Sequence, residues 1–205
     1  MARVIETEDA LREIVDHPHP TIANKAVGRI DDVSRRFLEA SPFVLLATAA
    51  QDGTCDVSPR GDPPGSVLVL DEHTVALADR RGNRRLDSMR NILVNPQVGM
   101  LFLVPGMGET LRLNGVARIV AEAEYLPRMA VAGVTPTLAI EVTVRELFLH
   151  CSKAFARSDL WDPSSWPSRE DVPSAGQIVR GQRGGPTPAT EIDAMLARDA
   201  EVNRY

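Results

Sequence analysis

The chain has 205 residues, 43% hydrophobic and 25% charged, a balance that suits one globular unit with appendages and a core needing no staples. Lys and Arg number 23 against 28 Asp and Glu, a net charge of −5, which makes general nucleic-acid binding a poor fit. The opening MARVIETEDALREIV lacks a basic segment followed by an apolar one, and no apolar run nears the roughly 18 residues of a membrane span, so a cytoplasmic protein without membrane association is expected. Cys55 and Cys151 are too few for a disulfide framework or a four-ligand zinc site, and His17 and His19 have no further ligands nearby, so no metal site is expected.

The elements divide the chain into a helical segment (1–41), a β-rich domain (42–150) and an arm with a last helix (151–205). Thr7 predicts a cap for a helix running to Val15, with Glu8 and Asp9 complementing its dipole. A second helix is expected over Asp31–Ala40, burying Val33, Phe37 and Ala40 and ending at Ser41-Pro42. From Phe43 the pattern is that of strands: Phe43–Ala49, a turn at Asp52-Gly53, then Thr54–Ser58. Strands Ser66–Leu70, Thr74–Ala78, Gly99–Val104, Thr110–Val120 and Thr137–Leu149 follow, the last placing Leu138, Ile140, Val142 and Val144 on one face. Helices are predicted at Arg84–Val94, with Leu86, Met89 and Leu93 on one stripe, and more weakly at Ala121–Ala132. Ser168–Pro188 reads as an extended arm, and Thr190 as the cap of a terminal helix. Six or seven strands with hairpin links and peripheral helices indicate a mainly β, antiparallel barrel, closed so that no edge is exposed.

The segment Ala78-Asp79-Arg80-Arg81-Gly82-Asn83-Arg84-Arg85-Leu86 leaves a strand, turns at Gly82-Asn83 and opens a predicted helix. Helix N-termini attract anions through unpaired N–H groups, and arginines add bidentate contacts. Arg84 and Arg85 at such an end oppose the dipole, a cost that a bound phosphate removes. The competing reading is a solvated basic turn paired with acids such as Asp79 and Asp87. Other motifs are weaker. Gly106-Met107-Gly108 lacks the strand-to-helix context of a dinucleotide fingerprint, and His150-Cys151, adjacent on a strand, point to opposite faces.

Four stretches together resemble the pyridoxamine 5′-phosphate oxidase-like, FMN-binding split-barrel superfamily: FVLLATAAQDGTCDVSPRGDPPG, RGNRRLDSMRNILVNPQVGMLF, PGMGETLRLNGVARI and HCSKAFARSDLWDPSSWP. They cover about three-fifths of the chain, Phe43–Trp166, and are most similar to a bacterial subgroup whose members are mostly of unassigned function. The resemblance implies a split form of the antiparallel barrel, FMN as cofactor, and a homodimer with the cofactor site at the subunit interface. It places Val57, Ser58 and Arg60 beside the flavin ring, and Ala78, Asp79 and Arg80 along the ring and ribityl chain. Asn83, Arg84 and Arg85 fall where the superfamily has phosphate ligands, while Lys153, Arg157 and Trp161 are expected to reach the site from the second subunit. Arg112 is expected either near the cofactor or facing an acid. The ending AMLARDAEVNRY departs from the Arg-Leu-x-Pro-type ending of true pyridoxamine phosphate oxidases, so oxidation of vitamin B6 is not implied.

The implied function is an FMN-dependent oxidoreductase for an unidentified small molecule, with a nicotinamide nucleotide or oxygen as electron partner. No catalytic acid or base is assigned, because no carboxylate or histidine stands out. The alternatives are a flavin-binding or redox-sensing protein without turnover, or a deazaflavin- or haem-binding relative.

Overall fold

Strands form where branched and aromatic residues run between turn formers. In the computed structural model, which describes residues 2–205, they are β1 (Phe43–Ala49), β2 (Cys55–Gly61), β3 (Leu68–Asp71), β4 (Thr74–Ala78), β5 (Gln97–Leu103), β6 (Thr110–Ala121) and β7 (Leu138–His150). All pairings are antiparallel, and the order across the sheet is β2-β1-β5-β6-β7-β4-β3.

The sheet curls around one core. Val44 and Leu46 of β1, Met100 and Phe102 of β5, Leu113 of β6, Val142 and Val144 of β7 and Val75 of β4 belong to one buried cluster. Curling is helped where the β6–β7 register shifts between Asn114 and Gly115, because a bulge bends and twists its strand. Gly115 is required there: a Cβ would lie 2.3 Å from the Thr143 carbonyl oxygen of β7.

The barrel is split, as the resemblance implies, and not closed as the argument from exposed edges alone suggests. β2 and β3 end the sheet without pairing to each other. β2 also runs on through Pro59 and Gly61 instead of stopping at Ser58. An edge strand tolerates proline, because the position of its missing N–H can face the side that has no partner strand.

Seven helices accompany the sheet among the described residues: α1 (Glu8–Arg12), α2 (Pro20–Ala23), α3 (Asp32–Ala40), α4 (Asp87–Val94), α5 (Lys153–Ser158), α6 (Ala175–Arg183) and α7 (Ala189–Val202). Thr7 caps α1 as expected, although α1 stops short of Val15, and Asp31, expected as the first residue of α3, is instead its cap. In α3 the buried residue is Leu38, with Phe37 beside it, and Val33 is exposed. Arg35 sets that rotation by donating to the Val69 carbonyl of β3 at 3.0 Å.

Three further corrections concern helices. The stretch Ala121–Ala132 forms only the single turn Leu126–Met129, which buries Leu126 and Met129 against Ala76, Ala78 and Ala139 on the sheet's other face. Glu141, buried on that face, accepts from Arg118 Nε at 2.6 Å and from the Tyr125 hydroxyl at 2.8 Å. Burial, then the Glu141 carboxylate, hold the Tyr125 phenol well above its usual range. The supposed arm Ser168–Pro188 contains α6, opened by a capping box between Ser174 and Gln177. α7 begins at Ala189 after Pro188, so Thr190 lies within it and does not cap it.

Candidate cofactor site

The split between the two ends of the sheet opens into a cavity of about 660 Å³. One wall is β2 from Asp56 to Gly61, and the other is the end of β4 with the chain that follows it to Met89. That volume lies within the range of small-molecule and cofactor pockets.

Two ion pairs cross the cavity where backbone pairing between the sheet ends is missing. Arg60 of β2 meets Asp79 after β4, Nη1 to Oδ1 at 3.2 Å. Reciprocally, Arg80 after β4 meets Asp62 after β2, Nε to Oδ2 at 2.8 Å, and its Nη2 donates to the Met129 carbonyl at 2.7 Å. The Arg80 and Asp62 side chains are each only 14% exposed. Three occluded atoms of these groups have no partner within the chain: Arg60 Nε, Arg80 Nη1 and Asp62 Oδ1. Unmet polar capacity of this kind is uncommon in native folds and calls for an explanation at each place.

Burial raises the Asp79 carboxyl above its ordinary value of 3.8, against the opposing pull of the Arg60 charge and its hydrogen bond. A carboxyl whose value is raised on folding stabilises the fold fully below the unfolded value, and this contribution is lost as pH rises through the folded one. Asp79→Asn carries no such titration. The variant should therefore gain stability relative to wild type as pH rises from 3.8 through the raised value, as read by urea denaturation of both proteins across that window. A constant difference would show that Asp79 titrates alike in both states.

The arginine-rich stretch is built differently from the expected helix start. Arg84 and Leu86 have φ of 62° and 59°, left-handed conformations that a helix cannot run through, so α4 begins only at Asp87. Asn83 Oδ1 accepts from the Arg85 N–H at 3.0 Å, and Arg85 Nε pairs with Asp87 at 2.8 Å. The conflict between Arg85 and the helix dipole is thus met by an acidic residue in the first turn. Arg84, whose conflict was to be relieved by phosphate, sits in the loop. Arg81 and Arg84 line the cavity and have no carboxylate partner among the described residues. No side chain caps α4, and Asp87, Ser88 and Met89 of its first turn also line the cavity. The buried stripe of α4 is Ser88, Met89 and Ile92, with Leu86 and Leu93 exposed.

Of the residues singled out in the sequence, Val57, Ser58, Arg60, Ala78, Asp79, Arg80, Asn83, Arg84 and Arg85 all line this one cavity. Lys153, Arg157 and Trp161 do not line it within the same chain. Lys153 and Arg157 lie exposed on α5, and Trp161 stacks on Phe155 with centroids 5.8 Å apart while donating to the Met107 carbonyl at 2.7 Å. Arg112 lies over the Phe148 ring at 5.6 Å instead of facing an acid. The sequence reading missed Asp62, Arg81, Arg204 and Tyr205, which also border the cavity. Asp62 and Arg81 had a signal in their neighbours Arg60 and Arg80. Arg204 and Tyr205 had none, since only the folded path of α7 brings them there.

A split antiparallel barrel with a basic cavity at its seam defines the class. The family model of pyridoxamine 5′-phosphate oxidase matches residues 30–151, more than half the chain, and the protein belongs to that family. No curated protein gives a significant match. Among solved structures the chain is similar to a tagged HupZ from Group A Streptococcus, at 17% identity over 60% of this chain and 95% of that one, with a TM-score of 0.48. It is also similar to the haem storage protein HutZ from Vibrio cholerae, at 17% identity over 60% of this chain and 94% of that one, TM-score 0.43. An FMN-binding protein from Syntrophomonas wolfei is similar at 12% identity over 56% of this chain and 82% of that one, TM-score 0.43. Among the described residues no helix is long and apolar enough to cross a membrane, and no cluster of His, Cys, Asp and Glu could hold a metal ion.

Proposed function

We propose that the chain binds FMN in this cavity and works as an FMN-dependent oxidoreductase on a small molecule, with a nicotinamide nucleotide or oxygen as electron partner. The observation that carries this reading is the convergence of Arg60, Arg80, Arg81, Arg84 and Arg85 on one cavity of about 660 Å³. The residues fit the group: the unpartnered Arg60 Nε and Arg80 Nη1 are donors beside an anionic, carbonyl-bearing ligand, and Asp62 Oδ1 is an acceptor for a hydroxyl or ring N–H. Arg81 and Arg84, free of carboxylates, would hold the phosphate, and α4 offers its uncapped first turn to the same anion.

When bound, the flavin supplies the hydride chemistry, and the protein supplies position and charge. Arg60 and Arg80 are fixed by Asp79 and Asp62, so their orientation is set before a ligand arrives. Preorganised cations beside a ring that gains negative charge favour its reduced form. The partner in this reading is a second copy of the chain, to whose cavity the exposed Lys153 and Arg157 and the Trp161 region are carried. Light scattering at micromolar concentration should give the mass of a dimer.

The direct test is the visible spectrum of the purified protein before and after addition of FMN, with mass spectrometry of any released ligand. A preparation that stays colourless and ignores FMN refutes the assignment, and release of a deazaflavin or haem replaces it. Arg84→Glu should weaken FMN binding by about 1.5–3 kcal/mol, the usual value of a hydrogen bond to a charged group. Arg84 is exposed and has no carboxylate partner, so the far-UV circular dichroism spectrum should be unchanged.

A further inference from the structure

We propose that Arg204 and Tyr205, beyond the end of α7, are further binding residues of the cavity: Arg204 a third cation for the cofactor's phosphate, Tyr205 an aromatic cover over its ring. The inference rests on the FMN reading of the cavity.

α7 is held in place by its packing on α6. Asp193 of α7 accepts from Ser174 Oγ at 2.6 Å and from the Gly176 N–H at 2.7 Å. The two helices approach so closely that a Cβ on Gly176 would lie 2.0 Å from the Ala189 carbonyl oxygen. At about 1.5 Å per residue, the 14 residues of α7 span roughly 21 Å. Its last turn ends beside the Arg81–Arg84 loop, across a second hollow of about 620 Å³ bordered by Asp199, Asn203 and Arg204.

Arg204 borders both hollows, as do Arg81 and Arg84. None of the three guanidinium groups has a carboxylate partner among the described residues. Asp199, the acid that borders the second hollow, accepts from Asn203 Nδ2 at 2.7 Å. Three unpaired cations around one loop repel each other unless an anion lies among them. A phosphate dianion at the junction of the hollows would satisfy all three with charge-assisted bonds.

Tyr205 contributes in another way. Its ring centroid stands 5.8 Å from the guanidinium carbon of Arg80, which is also held by Asp62 and the Met129 carbonyl. Among the cavity-lining residues Tyr205 and Phe43 are the aromatic members, and Phe43 sits at the start of β1. A flat ring at the mouth of a cavity suits a planar, electron-poor ligand through offset stacking.

The test compares FMN with riboflavin, which has the same ring but no phosphate, by equilibrium titration of wild type, Arg204→Ala and Tyr205→Leu. Arg204→Ala should weaken FMN about tenfold or more, as expected for a lost charge-assisted contact, and leave riboflavin unchanged. Tyr205→Leu should weaken both ligands alike and raise the fluorescence of the bound flavin, which a stacked tyrosine quenches. Unchanged FMN affinity in Arg204→Ala, or equal losses of FMN and riboflavin, overturns its role at the phosphate. Unchanged fluorescence of flavin bound to Tyr205→Leu overturns the cover. A wild-type protein that binds neither flavin refutes the FMN reading itself, an outcome distinct from wild-type binding that the two variants leave intact.

Discussion

Replacing Arg80 with methionine should cost the fold about 3 kcal/mol, because removing one partner of a mostly buried pair leaves the other charge uncompensated. The side chain left behind is Asp62, itself 14% exposed, and the Met129 carbonyl loses its donor as well. The pair also joins the chain after β2 to the chain after β4, two walls of the cavity. Pairing Arg80→Met with Asp62→Leu should recover most of the lost stability, since an apolar pair replaces the ion pair without stranding a charge. Urea denaturation of the two single variants and the double one would measure the coupling. Losses that simply add would show that the pair contributes nothing across the split. On the proposed FMN reading, the rescued protein should still fail to bind FMN, because stability returns without the guanidinium.

The second large effect concerns the backbone. Gly115→Ala places a methyl group 2.3 Å from the Thr143 carbonyl and 2.8 Å from Val142 Cγ1. Main chain in the middle of the β6–β7 pairing cannot swing aside as a surface side chain does. The expected cost is about 3 kcal/mol, the upper part of the usual overpacking range. For a chain of this size each kcal/mol lowers the melting midpoint by roughly 2–4 °C, so a fall of about 6–12 °C is expected by calorimetry. Gly53, at a hairpin turn with φ of 85° and open space around it, should by contrast respond only to its backbone strain.

How far the sequence could be read depended on whether the deciding interactions were local. β1 and β4 kept their expected bounds because short apolar runs between turn residues leave little choice. The face of Leu138, Ile140, Val142 and Val144 emerged as read, packed on the main core. β2 extends past its expected end at Ser58 because Pro59 and Gly61 oppose a strand in general but not at an edge, and being an edge is a property of strand order. α4 begins three residues later than expected because Leu86 turns left-handed, of which the helical spacing of Leu86, Met89 and Leu93 gives no sign. α6 was legible, since Ser174 and Gln177 form the capping-box pattern, but the surrounding glycines and prolines concealed it. At the site, nine residues from two separate segments met at one cavity because strand ends carried both. That Asp79 meets Arg60, and Asp62 meets Arg80, depends on which strand ends curl together, which no local pattern tells.

On the proposed reading, in which an anion meets the uncapped first turn of α4, ligand occupancy is linked to folding itself. Any solute that binds the native cavity and not the unfolded chain adds RT ln(1 + [L]/Kd) to the unfolding free energy, about 2.7 kcal/mol at a hundredfold excess over Kd. Buffer composition therefore becomes a variable of the molecule: a preparation kept in inorganic phosphate and one kept in a bulky zwitterion need not melt at the same temperature. Heat resistance then reports how full the seam of the barrel is before any colour or turnover is measured.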